Sequence, residues 1–178
     1  MMKEQLAGAF EALKGQFGYT SKMQAPRITK VVVSMGVGKI SDKARLTFIR
    51  GRLANITGQK VADRKAKKSV ASFKVREGDL SGFQATLRGD RKNDFLDKLV
   101  HVAFPSTRDF RGLKTTSVDA MGNYSIGIPE HTIFPECQDD EIKDIFPFAI
   151  TIVTTAKTKE ETLALLRHIG MPLQKEVA

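Results

Sequence analysis

GFQATLRGD, residues 82–90, is the stretch on which the fold turns. Phe83, Ala85 and Leu87 alternate with Gln84, Thr86 and Arg88. Successive side chains of an extended chain point to opposite faces, so this strand has one apolar and one polar side. A strand buried on both sides would read as a continuous apolar run. PRITKVVVSMGVG, opening at Pro26, repeats the pattern. Val31, Val33, Met35 and Val37 take one face, and Lys30, Val32 and Ser34 the other. FAITIVTTAK supplies a third strand, with Thr151 and Thr155 on its polar side. The expected class is α+β, with a mostly antiparallel sheet, helices packed on one face and a polar opposite face.

The helices that would cover the apolar face are visible as stripes. Leu6, Phe10, Leu13 and Phe17 recur at helical spacing, and Leu46, Ile49, Leu53 and Ile56 do so between about Asp42 and Ile56. A third helix is expected from about Arg91 to Phe104, ending before Pro105. In the last, Thr158 and Glu161 make a capping-box pattern, Leu163, Leu166 and Ile169 form the stripe, and Gly170 and Pro172 stop it. Short strands are expected around Lys60–Arg64, Ser69–Phe73 and Asn123–Gly127, with loop and short helical turns in HTIFPECQDDEIKDIFP. No repeat or linker interrupts the chain, so residues 1–178 read as one domain.

The 178 residues carry a formal net charge of +9. That charge is uneven. Residues 1–89 hold 18 basic and six acidic side chains, a net of +12, whereas residues 90–178 hold 11 and 14, a net of −3. A one-sided basic field points to a polyanionic partner, and an open polar sheet is a platform for RNA. No apolar run reaches the roughly 18 residues of a membrane span. Glu4 and Glu11 break up the N-terminus, which does not read as a signal peptide. The single cysteine, Cys137, excludes an internal disulfide.

Motifs for catalysis fail in detail. GVGK, Gly36–Lys39, lacks the spacing of a phosphate loop and is followed by Ile40 where a hydroxyl is needed, so it reads as a strand-to-helix turn. His101, His131 and His168 lack metal-ligand spacing, and no base marks Cys137 as a nucleophile. Asp139–Glu141 reads as a solvated acidic start to a helical turn. With no acid, base and nucleophile assembled, the reading is not an enzyme, and neither a cofactor nor a metal is implied.

ADRKAKKSVASFKVREG, residues 62–78, is different. Lys65, Lys67 and Lys68 can reach phosphates, while Val70 and Phe73 are expected to fasten the segment to the core. A solvated hairpin face is the plain alternative.

Seven stretches in order carry a resemblance: FGYTSKMQAPRITKVVVSMGVG, ITGQKVADRKAKKSVASFKVREG, ATLRGDR, RDFRGL, GNYSIGI, IFPE and ITIVTTAKT. Between residues 17 and 158 the chain resembles the bacterial large-subunit ribosomal protein L-five family, which binds 5S rRNA. The resemblance implies a structural protein of the central protuberance, in the cytoplasmic large ribosomal subunit. Its implied partners are 5S rRNA, 23S rRNA, peptidyl-site tRNA and neighbouring ribosomal proteins, with no membrane. The family's polar set for 5S rRNA falls on Gln59, Thr86 and Arg88, with Lys60 beside it; Ser34 stands where the family has Asn, and Ala149 where it tends to have Asp. Lys39 replaces a common acid. Phosphate contacts are expected from Arg27, Lys30, Lys39, Lys65, Lys67, Lys68 and Arg111. A loop at about 72–82 is expected to protrude toward tRNA, carrying Ser72, Phe73, Lys74, Val75, Arg76, Gly78, Ser81 and Gly82. A second reading, an RNA-binding module acting outside the ribosome, fits the same residues.

Overall fold

The computed structural model describes residues 2–40, 42–108, 110–137 and 145–174. Among them the order is α1 (Met2–Phe17), β1 (Ile28–Gly36), α2 (Lys43–Thr57), β2 (Ala62–Lys65), β3 (Leu80–Leu87), α3 (Gly89–Lys98), β4 (Tyr124–Ile128), β5 (Phe148–Thr154) and α4 (Lys159–His168). The strands form an antiparallel sheet in the order β2-β3-β1-β5-β4, giving the α+β class. The chain divides into two compact units: Val32–Leu87 with Gly127–Ile150, and the described residues of 1–31, 88–126 and 151–178. No helix of the described residues is long and apolar enough to cross a membrane.

In the first of these units the alternation read from the sequence becomes burial. Val33, Met35 and Val37 are buried, as are Phe83, Ala85 and Leu87, and α2 adds Ile49, Leu53 and Ile56. Gln84 and Thr86 lie half-buried on the other side of β3. Asp42 caps α2 by accepting from the Ala44 N–H at 2.9 Å, and Gly58 ends it in the left-handed region at φ 63°. Gly82 is required by packing: a Cβ there would lie 2.6 Å from the Met35 carbonyl oxygen. Only the bare glycine backbone permits that approach.

In the other unit, α1 packs on α4 and α3. The Met2 N–H donates to the Asp97 carboxylate at 3.2 and 3.3 Å. The first half of the capping box of α4 forms, Thr158 Oγ1 accepting from the Glu161 N–H at 3.3 Å, while Glu161 Oε2 reaches one residue further back and accepts from the Lys157 N–H at 2.7 Å. The GN of GNYSIGI is a turn held from several sides. Asp119 Oδ1 accepts from the Asn123 N–H at 2.6 Å. The Gly122 carbonyl accepts from Thr154 Oγ1 at 2.6 Å and Thr162 Oγ1 at 2.8 Å. Gly122 has φ 74°, and a Cβ there would meet Thr162 Oγ1 at 2.8 Å.

Several expectations need correction. Ser69–Phe73 is not a strand. Val70 pairs only with Val75, and Ala71–Phe73 is a 3-10 turn. Nor do Val70 and Phe73 anchor the segment, since they are 40% and 77% exposed. The link between β2 and β3 is residues 66–79, so Ser81 and Gly82 belong to the strand and not to a loop at 72–82. The third helix begins at Gly89 and passes at Leu99–Ala103 into a π-helical turn, where the Phe104 N–H donates to the Leu99 carbonyl at 3.0 Å. That wider turn inserts a residue that a 3.6-residue period does not register. β2 starts at Ala62, two residues later than read, while β4, at Tyr124–Ile128, is displaced by one. Asp139–Glu141 lies outside the described residues.

Candidate nucleic-acid interface

The polar face of β3 is ordered by its own neighbours. β2 pairs antiparallel with β3, setting Ala62 opposite Gln84, Asp63 opposite Phe83 and Arg64 opposite Gly82. Directly opposed residues share a face, so Asp63 goes with buried Phe83 and Arg64 with the open side. Side chains confirm this division. Arg64 Nε donates to Gln84 Oε1 across the open face. On the helix side, Arg50 of α2 holds the Asp63 carboxylate, with Nη2 2.6 Å from Oδ2, and its guanidinium lies 5.3 Å from the centre of the Phe83 ring. The register then shifts between Arg64 and Lys65, so that Lys65 pairs with Leu80.

Gln59, one residue past the Gly58 cap, donates through Nε2 to the Thr86 carbonyl at 3.4 Å. One of its two amide donors thus fixes the side chain against β3; a carboxamide also has an acceptor oxygen to offer. Lys60 follows, exposed. Ser34 and Ala149 lie far apart in sequence, yet both line one groove of about 540 Å³ with Gly36, Gly127, Pro129 and Pro147. Two of the three positions that depart from the resembled pattern therefore share one groove, which is lined mainly by apolar groups and bare backbone. Lys39, Lys65, Lys67, Lys68, Lys74 and Arg76 are exposed in the same unit.

Arg88 opens the other unit as the N-cap residue of α3, and is exposed. Gly89 beside it has φ 58°, so the RG of TLRG is a turn that needs glycine to swing the chain from strand into helix. Arg27 and Arg111 are exposed and Lys30 is half-buried. Lys92, which no motif singled out, donates through Nζ to the Ile28 carbonyl at 2.8 Å. Burial first, and then the charge of Arg27, holds its ammonium below the usual lysine range.

GVGK, His131 and His168 make contacts within the fold. GVGK is a turn in which the Ile40 N–H donates to the Val37 carbonyl at 2.8 Å. His131 is buried and stacked on Phe146 with centroids 4.0 Å apart; its Nδ1 accepts from the Phe146 N–H at 3.4 Å. Burial, then the charge of Arg52, pushes its pKa down. His168 Nε2 bonds the Gln5 carbonyl at 2.8 Å, and Cys137 is buried.

Sequence reasoning missed Arg50 and Arg64 as organisers of the face. The signal for Arg64, and for the Asp63 that Arg50 holds, was the alternation in ADRK, readable only once the strand register is known.

The model of ribosomal protein L5 matches residues 21–76, and the C-terminal model of the ribosomal L5 family matches residues 81–173. Similar curated proteins include the large ribosomal subunit protein uL5 of Desulfotalea psychrophila, 49% identical over 167 residues that cover 92% of each chain. That of Mesoplasma florum is 50% identical over 161 residues, 90% of this chain and 89% of the relative. That of Flavobacterium johnsoniae is 45% identical over 176 residues, 98% of this chain and 96% of the relative. Open polar strand, basic surroundings and matches that run from Ser21 to Leu173 lead to one conclusion: the chain belongs to the ribosomal protein L5 family, a structural and non-enzymatic family of the ribosome.

Proposed function

We propose that the chain is the component of the large ribosomal subunit that binds 5S rRNA through the open side of its sheet. The observation that carries this is the ordered polar face of β3, with Gln59 tied to the Thr86 backbone and Arg64 tied to Gln84. A face whose side chains are already positioned loses less freedom on binding folded RNA. Gln59, Thr86 and Arg88 supply directional contacts, and Ser34 offers one hydroxyl where an amide would offer two ends. Lys60, Lys65, Lys67, Lys68, Arg27, Lys30, Lys39 and Arg111 neutralise phosphates of 5S or 23S rRNA. The 66–79 link, with Lys74 and Arg76, faces peptidyl-site tRNA. Proteins of the central protuberance are the neighbours, and the work is done in the cytoplasmic ribosome.

A filter-binding titration on isolated 5S rRNA across a salt series tests the reading. Arg88→Ala should weaken binding by about 1–3 kcal/mol, because a charge-assisted contact is lost. Unchanged affinity removes Arg88 from the interface. An RNA-binding module outside the ribosome predicts loss from the large subunit in a high-salt wash, whereas a structural constituent co-sediments with it.

A further inference from the structure

We propose that Phe73 is a base-stacking residue: the link between β2 and β3 presents its ring to an exposed nucleobase of a folded RNA. This rests on the reading that the link meets RNA. Phe73 is 77% exposed, and among the described residues only Met23 is a more exposed large hydrophobic side chain. A ring left in water costs solvation without a return in the free protein, and singly exposed apolar residues are ordinary. The backbone beneath this one is not ordinary. The Val70 N–H donates to the Val75 carbonyl at 2.9 Å and the Val75 N–H returns to the Val70 carbonyl at 3.2 Å. Between them, Ala71–Phe73 forms a 3-10 turn closed by the Lys74 N–H on the Ala71 carbonyl at 3.0 Å. Lys74 has φ 53°, the one left-handed non-glycine among the described residues. Strain of this kind persists where the surroundings fix it, and it collects at ligand-contacting sites.

The surroundings choose the class of partner. Lys67, Lys68, Lys74 and Arg76 are exposed around the turn. Of the two acids in the link, Asp79 is spent internally, accepting the Arg76 N–H at 2.7 Å. A flat ring within a cationic rim suits a nucleotide, whose base offers a π face and whose phosphate offers charge. An apolar pocket of a protein neighbour has no use for that rim.

The test uses ribosomes assembled with each variant and deacylated tRNA as the probe, measuring its affinity at the peptidyl site. Phe73→Ala and Phe73→Leu should both weaken binding about tenfold, while Phe73→Trp should keep it, because stacking needs a π face and not merely apolar area. Retained affinity in Phe73→Leu with loss in Phe73→Ala would indicate a protein pocket and overturn the proposal. Unchanged affinity in Phe73→Ala, while Lys67→Ala/Lys68→Ala weakens binding, would overturn stacking and leave the RNA-facing link standing. If neither variant matters, the tRNA reading of the link fails and the proposal fails with it. Since the Phe73 side chain projects into solvent, none of its replacements endangers the fold.

Discussion

On β2 and β3 the side chains hold one another: Arg64 grips Gln84, Arg50 grips Asp63, and Gln59 reaches the Thr86 backbone. In residues 66–79 the backbone holds itself, through Val70–Val75, Ala66–Asp79 and Gly78–Ala66 pairs, helped by Asp79 and Ser69, which accept the Arg76 and Glu77 N–H groups, and the basic side chains are left to solvent. The first region presents polar groups already fixed against one another. The second presents an arm whose basic side chains are exposed. A substitution on the strands should therefore register in folding, and a side-chain substitution on the arm should register in binding.

Gly82→Ala should break the comparison hardest. Its Cβ would stand 2.6 Å from a backbone oxygen of β1, which has no rotamer to change, so the strands must part. A loss of about 3 kcal/mol in urea unfolding is expected, at the upper end for a single substitution. Gly78, within the arm, has open space where its Cβ would go, and its Ala variant should cost less, through its left-handed φ of 88° alone. Equal costs would mean that strand and arm are equally constrained.

Arg50→Ala is a smaller and more local probe. β2 is a four-residue edge strand whose residues are all exposed, so it has little burial of its own. Arg50 links it to α2 through Asp63 and covers Phe83. An exposed ion pair and an exposed cation–π contact together contribute about 1 kcal/mol. Amides of β2 should exchange faster in the variant. If they do not, pairing with β3 is sufficient and the arginine is ornamental. A double-mutant cycle with Asp63→Ala separates the ion pair from the stacking.

The same contrast explains what was legible beforehand. Alternation in residues 82–90 and the caps at Asp42 and Thr158 are local signals, and burial followed them. Residues 69–73 carry a β-branched and aromatic composition that reads as strand, but Val70 finds its partner five residues away instead of in a neighbouring strand. Nothing local distinguishes those outcomes. The Arg64–Gln84 pair depends on register, and the shared groove of Ser34 and Ala149 depends on topology; both lie beyond a one-dimensional pattern. Gln59, Thr86 and Arg88 could be named early only through the resemblance, since glutamine, threonine and arginine on a polar face have no signature of their own.

Lys74→Gly is the smallest effect and the sharpest test of the arm. Relieving a left-handed φ gains about 1–2 kcal/mol, and the added freedom of glycine in the unfolded chain takes back about 0.5–1. A net gain of about 0.5 kcal/mol in stability is expected if the backbone alone fixes the turn. Destabilisation instead would show that the lysine side chain holds the arm, making it resemble the strands after all. Stability and tRNA affinity should also separate: the variant folds slightly better yet loses one cation from the rim around Phe73, so its affinity should fall more steeply at low salt than at high.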